Sequence, residues 1–88
     1  MELIDNFPLH RIKIKSLRTA INNLTPILGE ASVTAMLCLF NREHALRLDP
    51  DSEELIDIKL VRSMLAQSLG DVAADFLVKM IRRELVKL

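Results

Sequence analysis

Two seven-residue segments, LTPILGE at residues 24–30 and LAQSLGD at residues 65–71, have the same pattern 41 positions apart. In each segment, two leucines four positions apart are followed by a glycine and then by an acidic residue. Glycine is favoured just after the end of a helix, and an acidic side chain is favoured where a helix begins. Each segment therefore predicts a turn between two helices that fold back on each other.

The same offset places Arg42-Glu43 on Arg83-Glu84, so the repeat extends beyond the two turns. Under this interpretation the halves are related by an approximate two-fold axis, and each half is one helical hairpin. The alternative is coincidence, because Leu-Gly followed by an acid is an ordinary way for one helix to end and the next to begin. Both interpretations predict four helices.

Apolar residues support the four helices, because they recur at spacings of three and four, the period of one helical face. The stretches are Ile14, Leu17, Ile21, Leu24 and Leu28; the apolar run 35–40; Leu55, Ile58, Val61, Leu65 and Leu69; and Val72, Phe76, Leu77, Met80, Ile81 and Leu85. Pro26 suits the first turn of a new helix capped by Thr25. The acidic residues between 49 and 57 suit the start of the third helix, and Asp71 suits the cap of the fourth.

The first dozen residues allow a second interpretation. Ile12 and Ile14 alternate with Arg11, Lys13 and Lys15, which is the period of a short strand. We therefore predict an all-α fold, a four-helix domain of two helical hairpins, with an extended N-terminal arm as the alternative at its start.

Composition limits the architecture and the compartment. The 88 residues suit one domain spanning 1–88, and half of them are hydrophobic, with three phenylalanines as the only aromatic residues. Twelve basic and twelve acidic side chains cancel, so no net field attracts nucleic acid or an anionic membrane. No apolar run is long enough for a membrane span, and the first residues lack the pattern of a signal peptide. We expect a cytoplasmic protein.

The run Ala35-Met36-Leu37-Cys38-Leu39-Phe40 is apolar on every side of its helix, which predicts burial on every side. A domain of this size cannot easily enclose a helix, so part of this surface is expected to face a partner. The residues predicted to form the core and the interface are Ala35, Met36, Leu39, Phe40, Phe76, Leu77 and Met80. We expect self-association as a homodimer, or binding to another protein.

The residue types that carry chemistry do not assemble into a predicted site. Cys38 lies among leucines and is predicted to be a core cysteine, while His10 and His44 lack metal-ligand spacing. The acidic stretch that begins at Asp49 fails as a calcium loop, because Glu54 stands where glycine is needed and Leu60 where glutamate is needed. We predict no catalytic residue, metal or cofactor, and a protein that is not an enzyme.

Two alternatives to protein–protein interaction stay open. A local basic cluster, Arg11, Lys13, Lys15 and Arg18, predicts a small DNA-binding regulator that uses residues 11–18. The second alternative is a helical bundle in which the surplus of methionine and leucine lines a pocket for an apolar small molecule.

From about residue 17 onward the chain resembles the small all-helical output domains of archaeal signalling proteins, a family first catalogued in ammonia-oxidising archaea. The matching residues are Leu28-Gly29-Glu30-Ala31, Met36-Leu37, Leu48-Asp49, and Leu69-Gly70-Asp71 with Ala73, Ile81 and Leu85. His44-Ala45 departs from the pattern, since a turn glycine is expected there. The resemblance implies a non-catalytic signalling or regulatory module that works by binding, and it supplies no site residues.

Overall fold

A computed structural model of the chain describes residues 11–88, and the fold is mostly helical with one small sheet. Residues 1–10, which include His10 and the start of the expected N-terminal arm, lie outside the described residues, whereas Arg11–Lys13 forms a short strand, as the alternation there predicts. The elements in chain order are β1 (Arg11–Lys13), α1 (Ile14–Asn22), α2 (Thr25–Leu28), α3 (Glu30–His44), β2 (Leu55–Asp57), α4 (Ile58–Leu69) and α5 (Asp71–Lys87).

The centre of the fold is helix α1, whose Leu17, Ala20 and Ile21 have no solvent exposure. Helices α4 and α5 form an antiparallel hairpin around Gly70, and α5 also packs against α1. Each of these helices buries a stripe with a spacing of three and four, although the stripe of α5 contains Ala74 and not the predicted Val72 and Phe76. The core also includes Ile58, Val61, Leu65, Ala74, Leu77, Ile81 and Leu85.

The two halves of the chain are joined by the antiparallel pairing of β1 with β2. Ile12 is opposite Ile56, and both side chains are buried. Each strand leads directly into a helix that begins with a buried isoleucine, Ile14 in α1 and Ile58 in α4. The short sheet therefore joins a strand and a helix in one half to a strand and a helix in the other, at an offset of 44 positions rather than the 41 of the sequence repeat.

The two glycines of the repeat adopt the same backbone conformation. Gly29 has φ 93° and ψ 151°, and Gly70 has φ 93° and ψ 163°. This region of φ and ψ is accessible to glycine and strongly unfavourable for other residues. Each glycine ends one helix and stands immediately before the next, so Gly70 caps α5 and Asp71 is the first residue of the helix. The predicted side-chain cap by Asp71 is therefore wrong.

The first half differs from the second because α3 packs mainly on α2 and α4, whereas α5 packs on α1 and α4. Only Val33, Met36 and Phe40 of α3 are buried. Cys38 is exposed, so the prediction of a core cysteine is wrong. The reason is geometric, since α3 lies at the margin of the core and presents a single face to it.

Several predicted boundaries shift. The described residues contain five helices, because a break at Asn23-Leu24 separates α1 from the one-turn helix α2, and the prediction of four helices in two hairpins is not confirmed. Pro26 does lie in the first turn of a new helix, but the N-cap residue of that helix is Leu24 rather than Thr25. The third predicted helix begins at Ile58, and Leu55 belongs to a strand. Asp57 caps this helix, its Oδ1 accepting a hydrogen bond from the backbone N–H of Lys59 at 2.8 Å.

Helix α3 ends at His44, and the C-cap residue Ala45 has φ 51° and is left-handed. Glycine is the usual residue at such a position, because a Cβ atom is crowded in this conformation. Within the described part of the chain, no helix has the length and apolar character needed to cross a membrane.

The backbone at Gly70 gives the first prediction. Gly70→Ala should lower the free energy of unfolding by about 1–3 kcal/mol, the strain of this region of φ and ψ. Steric conflict does not contribute, since a Cβ on Gly70 meets nothing within 4 Å. Chemical denaturation measures the change. D-alanine introduced at position 70 by semisynthesis is the control, and it should leave stability near wild type because positive φ is favourable for a D-residue. An equal loss of unfolding free energy with L-alanine and with D-alanine at position 70 would contradict backbone strain as the cause.

Burial on α3 gives the second prediction. Phe40→Ala should lower the free energy of unfolding by about 3–5 kcal/mol, because a fully buried aromatic side chain is lost and a cavity remains. Cys38→Ala, two residues away on the exposed side, should change it by less than about 0.5 kcal/mol. Denaturant titrations of both variants measure the difference. Comparable losses would show that α3 buries more than one face.

Candidate functional site

The residues predicted as core and interface divide into three groups. Met36, Phe40 and Leu77 are buried, and Leu39 and Met80 are half-buried. Ala35 and Phe76 are exposed. The sequence did not distinguish the core residues in this set from the surface residues. The structure does, and it exposes only Ala35 and Phe76.

Helix α5 has an outward side that we call the α5 face, formed by Val72, Asp75, Phe76, Lys79 and Arg83. All five side chains are exposed, and Val72 and Phe76 retain 86% and 57% of their accessible surface. The apolar stripe predicted for this helix included Val72 and Phe76, but the structure leaves both exposed, so that Phe76, predicted for the core or the interface, lies outside the core. The helical period could have separated them, because the buried stripe of Ala74, Leu77, Ile81 and Leu85 leaves both residues on another side of α5.

The acidic part of this helix is held by Arg62 of α4. Arg62 Nε donates a hydrogen bond to Asp75 Oδ1 at 2.7 Å, and Arg62 Nη2 lies 3.6 Å from Asp71 Oδ1. The hydrogen bond from Arg62 lowers the pKa of Asp75, and the same bond raises the pKa of Arg62. These exposed pairs fix how α4 and α5 meet beside the α5 face, although such pairs add little to stability.

A second exposed surface runs along α3, where Ala31, Thr34, Ala35 and Cys38 face outward. A groove beside it is lined by Ala35, Cys38, Leu39, Arg42 and Glu43. The surface matches the expectation that part of this apolar run is not enclosed by its own chain. Its exposed side chains are small, in contrast to the phenylalanine and valine of the α5 face.

Three residues of the basic cluster predicted for nucleic acid, Lys13, Lys15 and Arg18, are engaged within the chain. Glu53 Oε1 lies 2.9 Å from Lys13 Nζ, and Glu53 Oε2 lies 2.5 Å from Lys15 Nζ. Arg18 is half-buried, and its Nη1 donates to the carbonyl oxygen of Leu48 at 2.6 Å. Arg11 is exposed on β1, opposite Asp57 in the sheet. The acidic loop before β2 therefore lies against the basic side chains of β1 and α1.

Arg18 also lines a cleft of about 320 Å³ between α1, α3 and the loop after α3. Thr34, Asn41, Arg47 and Asp49 contribute polar groups to it. The Nε atom of Arg18 is buried and finds no hydrogen-bond partner among the residues described. The cleft carries charges of both signs and is open to solvent, so its lining selects no particular ligand.

His44 joins a polar contact between the ends of α3 and α4. Ser68 Oγ donates to Glu43 Oε1 at 2.8 Å, and His44 Nε2 lies 3.3 Å from the same Oγ. The arrangement links the C-terminal ends of the two helices through the Ser68 hydroxyl group. Across residues 11–88 no three His, Cys, Asp or Glu side chains converge as a metal site would need.

The bridge at Glu53 gives the third prediction. Hydrogen bonds from Lys15 and then Lys13, together with their positive charges, lower the pKa of Glu53 from 4.5 to about 2. A carboxylate whose pKa is lower in the folded state stabilises the fold above its unfolded pKa. That contribution should be present above about pH 4.5 and should disappear as the pH falls toward 2.

The test is a carbon-detected NMR titration of the Glu53 carboxyl group. In Lys13→Gln/Lys15→Gln the pKa of Glu53 should return toward its ordinary value. Lys59→Gln removes an equally exposed charge elsewhere and is the control, which should leave the pKa of Glu53 near 2. An unchanged pKa in the double variant would show that the two lysines are not the cause.

The geometry thus offers two outward helix faces and no enclosed polar site among the residues described. No family model, no curated protein and no solved structure matches the chain.

Proposed function

We propose that this protein is a non-catalytic protein–protein interaction module that acts as a homodimer in a signalling or regulatory system. The observation that carries the proposal is the α5 face, where Phe76 and Val72 lie exposed on one side of the longest helix described. Burying a side chain of this kind contributes about 1.5–3 kcal/mol, so the face favours contact with another surface.

The repeat supports a role for these two residues beyond folding. At the offset of 41 positions, Val72 and Phe76 correspond to Ala31 and Ala35 of α3, which are also exposed. The first half therefore folds with alanine at both equivalent positions. Large apolar side chains at these positions of α5 serve something other than the core of their own chain.

The size of the domain supports association as well. A chain of 88 residues buries a limited core, and small domains of this kind gain stability when the folded form binds a partner. A net charge of zero means that two copies do not repel each other strongly at neutral pH. Assignment to signalling rests on the resemblance to archaeal output domains, and the cytoplasmic location rests on the composition. The two-hairpin reading of the repeat is part of the same proposal.

Neither alternative gains support from a specific contact. DNA binding through residues 11–18 would compete with Glu53 for Lys13 and Lys15, and Arg18 is already bound to a backbone carbonyl. An apolar ligand requires an enclosed apolar pocket, whereas the clefts found among residues 11–88 are open and include charged side chains.

The fourth prediction tests self-association. Sedimentation velocity over a rising protein concentration should show the wild-type chain shifting from monomer toward dimer. Phe76→Ser should remain a monomer over the same range, because the exposed ring supplies the central apolar contact. Ile27→Ser, which changes a similarly exposed apolar residue on α2, is the matched control and should dimerise like wild type.

Far-UV circular dichroism should show that both variants are folded, since each substituted side chain is largely exposed. A wild-type chain that stays monomeric at every concentration would overturn the proposed homodimer. Equal dimerisation of Phe76→Ser would remove the α5 face from the interface.

A further inference from the structure

The charges on helix α5 follow an order along its length. Asp71 and Asp75 lie in the N-terminal half, and Lys79, Arg83 and Lys87 lie in the C-terminal half. All five side chains are exposed, and they accompany the apolar Val72 and Phe76. This order matches acids to helix N-terminus and bases to helix C-terminus, which favours the isolated helix. It also makes the surface complementary to itself when a second copy is turned end for end.

We propose that the α5 face binds the α5 face of a second copy of this chain in antiparallel orientation, with Asp75 of each copy opposite Lys79 of the other. The proposal rests on the self-association put forward above and specifies its geometry. The two-fold axis passes beside Phe76, so that the two phenylalanine rings meet near the centre, and the charged pairs and Val72 lie farther out along the helices. An interface of this kind is isologous and closes at two copies.

The register follows from the sequence positions. Antiparallel helices place residues opposite one another when their positions share a midpoint, and Asp75 with Lys79 and Asp71 with Arg83 share the midpoint at Leu77. A single two-fold axis therefore places Asp75 opposite Lys79 and Asp71 opposite Arg83, and each of these pairs forms twice in the dimer. Phe76 is one residue from that midpoint, so the two rings lie close together across the axis. A parallel pairing would instead place like charges opposite each other along the whole helix, which is unfavourable.

The contact with Arg62 leaves the acids free to take part. Arg62 occupies Oδ1 of Asp75, while the Asp75 side chain retains 65% exposure and Asp71 retains 79%. A carboxylate accepts more than one hydrogen bond, so the remaining oxygen of Asp75 can face Lys79 of the other copy. Arg62 then fixes the orientation of the carboxylate before the second copy arrives.

The size of the face sets the expected strength. Helix α5 has 17 residues, which corresponds to a length of about 25 Å. A pair of such helices buries less than the roughly 800 Å² per partner of a standard stable interface. The dimer should therefore form and dissociate with protein concentration and should weaken as salt screens the charged pairs.

The fifth prediction is a charge-reversal experiment on the full chain. In Lys79→Glu, Asp75 of each copy faces the new acid of the other copy. In Asp75→Lys, the new base of each copy faces Lys79 of the other copy. Each single variant should dimerise about tenfold or more weakly than wild type, because like charges meet at the interface. The double variant Asp75→Lys/Lys79→Glu restores opposite charges and should dimerise within about threefold of wild type.

A mixture of the two single variants is the decisive measurement. In a mixed dimer every pair again joins opposite charges, so native mass spectrometry with one variant labelled by ¹⁵N should show the mixed dimer in excess over either homodimer. This rescue also shows that each variant is folded. Lys59→Glu, an equal change of an exposed charge on α4, is the control and should dimerise like wild type.

The outcomes separate the two proposals. If wild type dimerises and both single variants dimerise equally well, the antiparallel α5 geometry is wrong while self-association stands. If the single variants weaken but their mixture gains nothing, the pairing of Asp75 with Lys79 is wrong. If wild type never dimerises, the self-association on which the geometry rests fails.

Discussion

The small size of the chain limits how much apolar surface its core can bury. The core is centred on the short helix α1, and each helix packed around α1 buries one stripe of side chains in it. Leu17, Ala20 and Ile21 of α1 are fully enclosed, and α5 together with the sheet covers them. The apolar side chains of α3 and α5 that lie outside the buried stripe must therefore stay at the surface, and this is the origin of the two outward faces.

Much of the helical pattern could be predicted from the sequence because it depends on local periodicity. The stripe of α4 at Ile58, Val61 and Leu65, and the glycine turn that ends it, follow from spacing and from the φ requirement at Gly70. The strands at Arg11–Lys13 and Leu55–Asp57 are harder to predict, because each has three residues and exists only through its partner in the other half of the chain. Three residues carry too little alternation to distinguish a strand from the first turn of the helix that follows.

The errors at Cys38, Val72 and Phe76 share one physical cause. Hydrophobic character predicts burial, but burial is decided by the side of the helix on which a residue lies and by how much neighbouring structure is available to cover it. At Phe76 the helical period contained enough information to assign the exposed side, once Leu77 and Ile81 defined the buried one. At Cys38 it did not, because the run from 35 to 40 is apolar on all sides and only the packing of α3 at the margin identifies its exposed side.

The two halves of the chain differ in sequence at exposed positions that the fold does not constrain. Gly29 and Gly70 keep nearly the same φ and ψ, since the turn between helices requires that conformation in both halves. Alanine at positions 31 and 35 corresponds to Val72 and Phe76, and Cys38 corresponds to Lys79. The fold alone would allow small or polar residues at both sets of exposed positions. At these positions α5 carries apolar and charged residues in an order that complements itself on reversal, whereas α3 carries alanine at 31 and 35 and cysteine at 38.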